Sequence, residues 1–278
     1  MNQKTFTAKV KSVLSDNKND RAVTRLRAGA LDTKSYKNIN TTGKVFKKKQ
    51  ERKGKNYKVS LLLDASGSMR TGADGRADTL RKMIPPLVQT LTDAGADVEI
   101  NAFNALFYPM SEFGQTIPKD FNKTFADRYN KALRDTRIKQ VKRGDKRTYQ
   151  IASKKDIAEN KYHYDQASGW NFDAWAIHQA IAKLNAEDGN KILIVFSDGQ
   201  PTNENWYHTS DLNKSINDYS IPYQIKLAKH SGITVLSVGI QTECVYNYYP
   251  KRDTVIVHKL EHMYEGITKL LSLNIKRG

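Results

Sequence analysis

Asp64, Ser66 and Ser68 are spaced so that alternate side chains of an extended turn converge on one point. Together they offer a carboxylate and two hydroxyl oxygens, hard donors of the kind that hold Mg²⁺ or Mn²⁺. Gly67, between the serines, gives the turn its backbone freedom. The same short pattern also suits a helix N-cap that holds no metal, so the choice rests on whether other acids reach the same place. Asp198 is one candidate: it closes the apolar run 191–197 and is followed by Gly199. Between the two lies Ser168-Gly169-Trp170-Asn171-Phe172-Asp173, a polar turn that opens a helix over 174–186 and adds Asn171 and Asp173 as oxygen donors.

The elements behind these residues follow from hydrophobic pattern. The runs 59–63 and 191–196 are apolar apart from Ser60 and the opening Lys191, as strands buried on both faces of a parallel sheet are, and each stops at a polar loop. Open α/β sheets keep their sites outside such strand ends. Leu80, Met83, Ile84, Leu87, Val88 and Leu91 give 78–93 one apolar helical face, with a kink or break expected at Pro85-Pro86. Residues 98–103 alternate as a strand, with 106–110 as a short antiparallel partner. A helix over 219–229, a strand at 234–239, a strand at 254–257 and a helix over 261–273 complete the alternation. The expected fold is α/β, a doubly wound and mostly parallel sheet flanked by helices.

Two appendages carry the charge. The net charge is +17; residues 1–57 hold 16 lysines and arginines against 4 acids, and 119–161 hold 14 against 6, so the sheet domain itself is close to neutral. The expected organisation is a basic extension over 1–57 and a sheet domain over 58–278 containing a basic insertion at about 111–170. Within the extension, 1–20 are expected to be flexible, 21–31 to form a short helix and Val45-Phe46 a strand. In the insertion, Phe121, Phe125, Tyr129 and Leu133 recur at helical intervals in what reads as a surface subdomain.

The ordered set of motifs resembles the von Willebrand factor A domain with its metal-ion-dependent adhesion site, whose first motif is D-x-S-x-S and whose third is an Asp-Gly after a hydrophobic strand. The second motif departs, with Asn171 where the family has a threonine, and either Asn171 or Asp173 takes that role. The residues 25–34, 45–48 and 59–64, the insertion, and the tyrosine-rich stretch 240–249 are similar to the cobaltochelatase CobT type and to nitric-oxide-reductase activation proteins. The resemblance spans roughly residues 21–275. It implies Mg²⁺ or Mn²⁺ held by Ser66 and Ser68, with Asp64 and Asp198 binding directly or through water, and one position left for a partner's carboxylate. It also implies a partner of the MoxR or CobS type, a ring-forming AAA+ ATPase, in a chelatase or remodelling system linked to cobalamin biosynthesis.

Other chemistries find less support. There is no G-x-x-x-x-G-K-[ST] phosphate loop and no G-x-S-x-G elbow. His258-Lys259-Leu260-Glu261-His262 matches H-x-x-E-H but straddles a strand end and a helix start, where two zinc ligands do not share a helix face. A single cysteine, Cys244, allows no intrachain disulfide, and the N-terminal residues lack a signal peptide's apolar core, so a cytoplasmic setting is expected with no membrane attachment. The second functional class is nucleic-acid or acidic-protein binding through the basic appendages, 47–53 included, with Trp170, Trp206, Tyr207, Tyr246, Tyr248 and Tyr249 as stacking groups, protein anchors or rim packing.

Overall fold

The computed structural model describes residues 3–15, 22–28, 30–34, 39, 42, 44–49, 56–70, 75–135, 138–143, 146–151, 164–165, 171–199, 201 and 220–275. The chain forms two compact units, one of residues 1–13 with 56–278 and the other of residues 14–55.

The large unit is built on a six-stranded sheet. Its strands are β4 (Tyr57–Asp64), β5 (Ala96–Phe103), β6 (Phe107–Ser111), β10 (Asn190–Ser197), β11 (Ile233–Ile240) and β12 (Thr254–Val257), in the order β12-β11-β10-β4-β5-β6. All neighbours are parallel except the edge pair β5–β6, which is antiparallel with Phe103 opposite Phe107. The chain enters at β4, builds outward to β6, then returns to the other side of β4 for β10, β11 and β12. That reversal leaves a crevice at the carboxyl ends of β4 and β10, the place where doubly wound sheets bind ligands. The expected fold class and the edge hairpin are thereby realised.

Helices cover both faces. Helix α4 (Asp173–Asn185) and α5 (Ile221–His230) pack on one side, where Ala176, Ile177, Ala180, Ile181 and Leu184 close over Leu62, Leu193 and Val195. On the other lie α2 (Arg76–Asp93), α3 (Phe121–Leu133), α6 (Leu260–Ile275) and α1 (Gln3–Ser15). Among the described residues, no helix is long and apolar enough to cross a membrane.

Four local expectations are corrected. Residues 3–15 are helical rather than flexible: Phe6, Val10 and Val13 recur on one face, are buried, and place the Phe6 ring 4.7 Å from that of Tyr264. Instead of a helix over 21–31 the chain forms β1 (Ala22–Leu26) and β2 (Ala30–Leu31), both antiparallel to β3 (Phe46–Lys49), so the expected strand at Val45-Phe46 is the one they pair with. A pairing partner 20 residues away overrides local helical composition. Helix α2 runs through Pro85 and Pro86 unbroken. Buried Leu80, Met83 and Ile84 before the prolines and Leu87, Val88 and Leu91 after them anchor both halves to the sheet, which offsets the ~3 kcal/mol that each interior proline costs.

The fourth correction concerns the insertion. Helix α3 forms where the aromatic spacing places it, yet it is core: Phe125, Tyr129 and Leu133 are buried, and it packs on α2, β5 and β6. Beyond it, the polar stretch forms a small sheet of β7 (Ile138–Arg143), β8 (Lys146–Ile151) and β9 (Tyr164–Asp165), with Arg143 opposite Lys146 in an antiparallel hairpin. Trp170, Trp206, Tyr207 and the segment 51–55 lie outside the described residues.

Candidate metal centre

Each of the six oxygen-bearing residues stands at the carboxyl edge of the sheet. Asp64 ends β4, and Ser66 and Ser68 follow it, leading into a single 3₁₀ turn over Gly67–Arg70. Asn171 precedes α4 and Asp173 is its first residue, while Asp198 follows β10 directly. Asp64 and Asp198 are fully buried, and Ser66, Asn171 and Asp173 nearly so.

Hydrogen bonds tie the set together. The Ser66 amide donates to Asp64 Oδ1 at 2.8 Å, which curls the loop so that the two serine hydroxyls stand 2.9 Å apart. Asn171 Nδ2 donates to Asp64 Oδ2 at 3.0 Å, joining the second motif to the first across 107 residues. The third motif joins through Ser197, whose hydroxyl lies 3.3 Å from Asp64 Oδ2 and 3.1 Å from Asp173 Oδ1 and accepts the Gly199 amide at 3.0 Å. One hydroxyl proton cannot serve both carboxylates at once. From below, Tyr129 of α3 donates to the Asp64 carbonyl at 2.5 Å, and the Ala65 amide bonds the Phe103 carbonyl at 2.7 Å.

The electrostatics are those of a site short of positive charge. Burial, then the nearby Asp198 charge, pushes the Asp64 carboxyl up to about 7, although bonds from Ser66 and Ser197 pull the other way. Burial, then Asp64, raises Asp173 well above the usual carboxylate range. Asp173 Oδ2 is buried with no hydrogen-bond partner among the described residues. Among the described residues one ion pair reaches the cluster: Arg76, at the start of α2, donates to Asp198 Oδ2 at 3.1 Å and to the Ser68 carbonyl at 3.5 Å.

Among the described residues, no three His, Cys, Asp or Glu side chains gather closely enough to hold a metal ion by themselves. A cation here therefore depends on hydroxyl oxygens as well as carboxylates, which is what Ser66 and Ser68 add. The donor set is all oxygen, carries buried negative charge and includes an unsatisfied carboxylate oxygen. It fits a hard divalent cation. The competing zinc pattern does not assemble: His258 and His262 have ring centroids 6.5 Å apart in an edge-to-face contact, on exposed residues.

Three contributors went unrecognised as site residues in the sequence. Ser197 stands within the third motif, beside the acid that drew attention. Arg76 and Tyr129 carry no motif and meet the site only through the tertiary fold. Of the tyrosines, Tyr249 is a core residue rather than a loop anchor, whereas Tyr246 is stacked under Lys251 at 5.5 Å.

The loop bearing these tyrosines is pressed against the third motif. Gly199 has φ +67°, and a Cβ there would stand 2.3 Å from the Val245 amide nitrogen and 2.6 Å from the Cys244 carbonyl carbon. Gly199→Ala should therefore cost about 2–4 kcal/mol, from left-handed strain plus overpacking against backbone. Urea denaturation checks this, and a loss below about 0.5 kcal/mol would mean that the contact yields freely.

Comparison with known proteins gives one family match: the model of the cobalamin biosynthesis protein CobT VWA domain aligns with residues 45–276. No curated protein matches the chain. Among solved structures, the pilus adhesin SpaC from Lactobacillus rhamnosus GG superposes with a TM-score of 0.52 at 14% identity over 80% of this chain and 31% of the adhesin. Its open conformation gives 0.52 at 15% identity, over 81% and 31%. Manganese-loaded TRAP protein from Plasmodium vivax gives 0.48 at 13% identity, over 78% and 74%. The chain thus spans about a third of the adhesin it matches, and that likeness is one of fold.

Proposed function

Because the chain belongs to the family of cobalamin biosynthesis protein CobT VWA domains, we propose that it is a metal-dependent protein-binding module whose recognition surface is the carboxyl edge of the sheet. The observation that carries this reading is Asp173 Oδ2, a buried carboxylate oxygen with no donor among the described residues, set among two further buried acids and two serine hydroxyls. Asp64, Ser66, Ser68 and Asp198 would hold a divalent cation, with Asp173 and Asn171 completing the protein side. Bound Mg²⁺ or Mn²⁺ supplies a Lewis-acidic point that accepts a carboxylate from another protein. The rest falls to the chain: Ser197 orients two of the acids, Asn171 fixes Asp64, and the β4 and β10 ends hold the loops in register.

The activity is binding rather than bond breaking, and the partner is an AAA+ ATPase of the MoxR or CobS type, with this chain as a non-catalytic subunit of a chelatase-like or remodelling complex. The family match supports the class of VWA interaction module, and the ATPase partner and the non-catalytic role are carried over from the family resemblance.

Thermal unfolding with MnCl₂, with MgCl₂ and with EDTA tests the metal. At a hundredfold excess over Kd the bound cation should stabilise the fold by about 2.7 kcal/mol, a rise of roughly 5–10 °C in Tm. No shift and no calorimetric heat with either ion would sink the reading. Capture of the ATPase should then require the ion. Capture that survives EDTA but falls steeply with salt would assign partner binding to the basic extension and insertion, the behaviour expected of nucleic-acid or acidic-protein contact.

A further inference from the structure

We propose that Arg76 is a resident counter-ion that competes with the divalent cation for Asp198 and so sets the metal affinity of the site; this rests on the reading of the six oxygen-bearing residues as a metal centre. Its guanidinium lies 3.1 Å from Asp198 Oδ2 and 3.5 Å from the Ser68 carbonyl, touching two of the three motif loops at once. The Asp198 side chain is fully buried while that of Arg76 keeps 21% of its surface in solvent, so Arg76 is the member of this pair that meets water.

The placement is not explained by the helix that carries it. Arg76 is the first residue of α2, where the partial positive charge of the helix end disfavours a cation, and α2 has its own acid, Asp78, in that turn. Asp78 pairs with Arg81 and Lys82, so the helix start is already compensated without Arg76. What Arg76 does neutralise is a buried carboxylate next to two others. A guanidinium is a donor at every nitrogen and offers no lone pair to a metal. It can therefore stand in for a cation but cannot help to bind one.

Two consequences follow with the same sign. A metal entering at Asp198 must displace or repel the guanidinium, which weakens binding. The metal-free fold, in turn, is stabilised by the ion pair that is lost. Removing the charge should accordingly tighten the metal and loosen the metal-free protein, whereas an ion pair that only braces the loops would leave affinity unchanged or lower it.

The experiment titrates Mn²⁺ into wild type, Arg76→Gln and Arg76→Lys by calorimetry at pH 8, and records Tm for each in EDTA. Arg76→Gln should bind Mn²⁺ at least about tenfold more tightly, as expected for removing a like charge from a half-buried site, with a lower Tm in EDTA. Arg76→Lys, which keeps the charge and folds if the glutamine variant does not, should stay within about threefold of wild type. Equal or weaker binding by Arg76→Gln, or an equal gain in Arg76→Lys, overturns the counter-ion role while leaving the metal centre standing. Silence in all three proteins overturns the metal centre itself.

Discussion

Asp64→Asn should lose Mn²⁺ affinity by about a hundredfold or more, yet leave the metal-free fold as stable as wild type or more so at pH 8. The first effect follows from deleting a buried anionic donor. The second follows because the metal-free site buries three acids, with Arg76 as the one ion-pair partner given to them among the described residues, and Asp64 is the acid held between the other two by Asn171 and Ser197. The introduced Oδ1 still accepts the Ser66 amide and the introduced Nδ2 can donate to the Ser197 hydroxyl, so packing is kept once the Asn171 side chain turns its oxygen, in place of its Nδ2, toward the new donor. A carboxyl raised to about 7 from a usual 3.8 means that its ionised form opposes folding by an amount on the order of a few kcal/mol.

The sign with pH follows. Folded Asp64 binds its proton more tightly than the unfolded chain does, so its contribution is fully present below about pH 4, declines as pH rises toward 7 and is flat beyond. Asp173 acts in the same direction. Asp78, held low by Lys82 and Arg81, is charged throughout the window from 5 to 8. So is Asp97, where burial pushes up but Lys58 and the Gly114 amide outweigh it. In EDTA the Tm of wild type should therefore fall relative to that of Asp64→Asn between pH 5 and 8, and the histidines cancel in the difference. Saturating Mn²⁺ should reverse the order of the two proteins. A parallel pair of pH curves would show that Asp64 is ionised without cost and that the site has no deficit of positive charge.

Tyr129→Ala should be the most damaging single change outside the central strands. Its ring is fully buried and stacked on Phe125, which is stacked in turn on Phe121, and its hydroxyl holds the Asp64 carbonyl from beneath the site. Truncation should cost about 3–5 kcal/mol, whereas Tyr129→Phe, which loses the hydroxyl alone, should cost about 1–2 kcal/mol. Chemical denaturation with an unchanged slope checks both. A loss under about 1 kcal/mol for the alanine variant would return α3 to the status of a surface appendage.

The strands that carry the site were readable because burial on both faces writes itself as a nearly uninterrupted apolar run, and β4 and β10 end within a residue of where those runs end. The motif acids were readable for the same reason: an aspartate placed directly after such a run has few other places to point. Arg76 was not, since its partner lies 122 residues away and a lone arginine opening a helix looks like surface. Helix α1 was hidden by its lysines and threonines, with Phe6, Val10, Val13 and Leu14 the large apolar positions among its 13 residues. β1 was lost because Val23 and Leu26 stand at helical spacing, three residues apart, while the register irregularity between them and the strand that pairs with them, remote in sequence, leave no local signal.

The first helix alters what counts as the domain. Its residues 3–13 belong to the same compact unit as 56–278, with the intervening sequence 14–55 forming the other unit, whereas the family alignment starts only at residue 45. The sheet domain is therefore discontinuous in sequence, and its boundaries cannot be drawn as one interval. A clone begun at residue 56 would keep every site oxygen and still uncover the hydrophobic seat of Phe6, Val10 and Val13, which makes solubility, rather than chemistry, the property that such a truncation puts at risk.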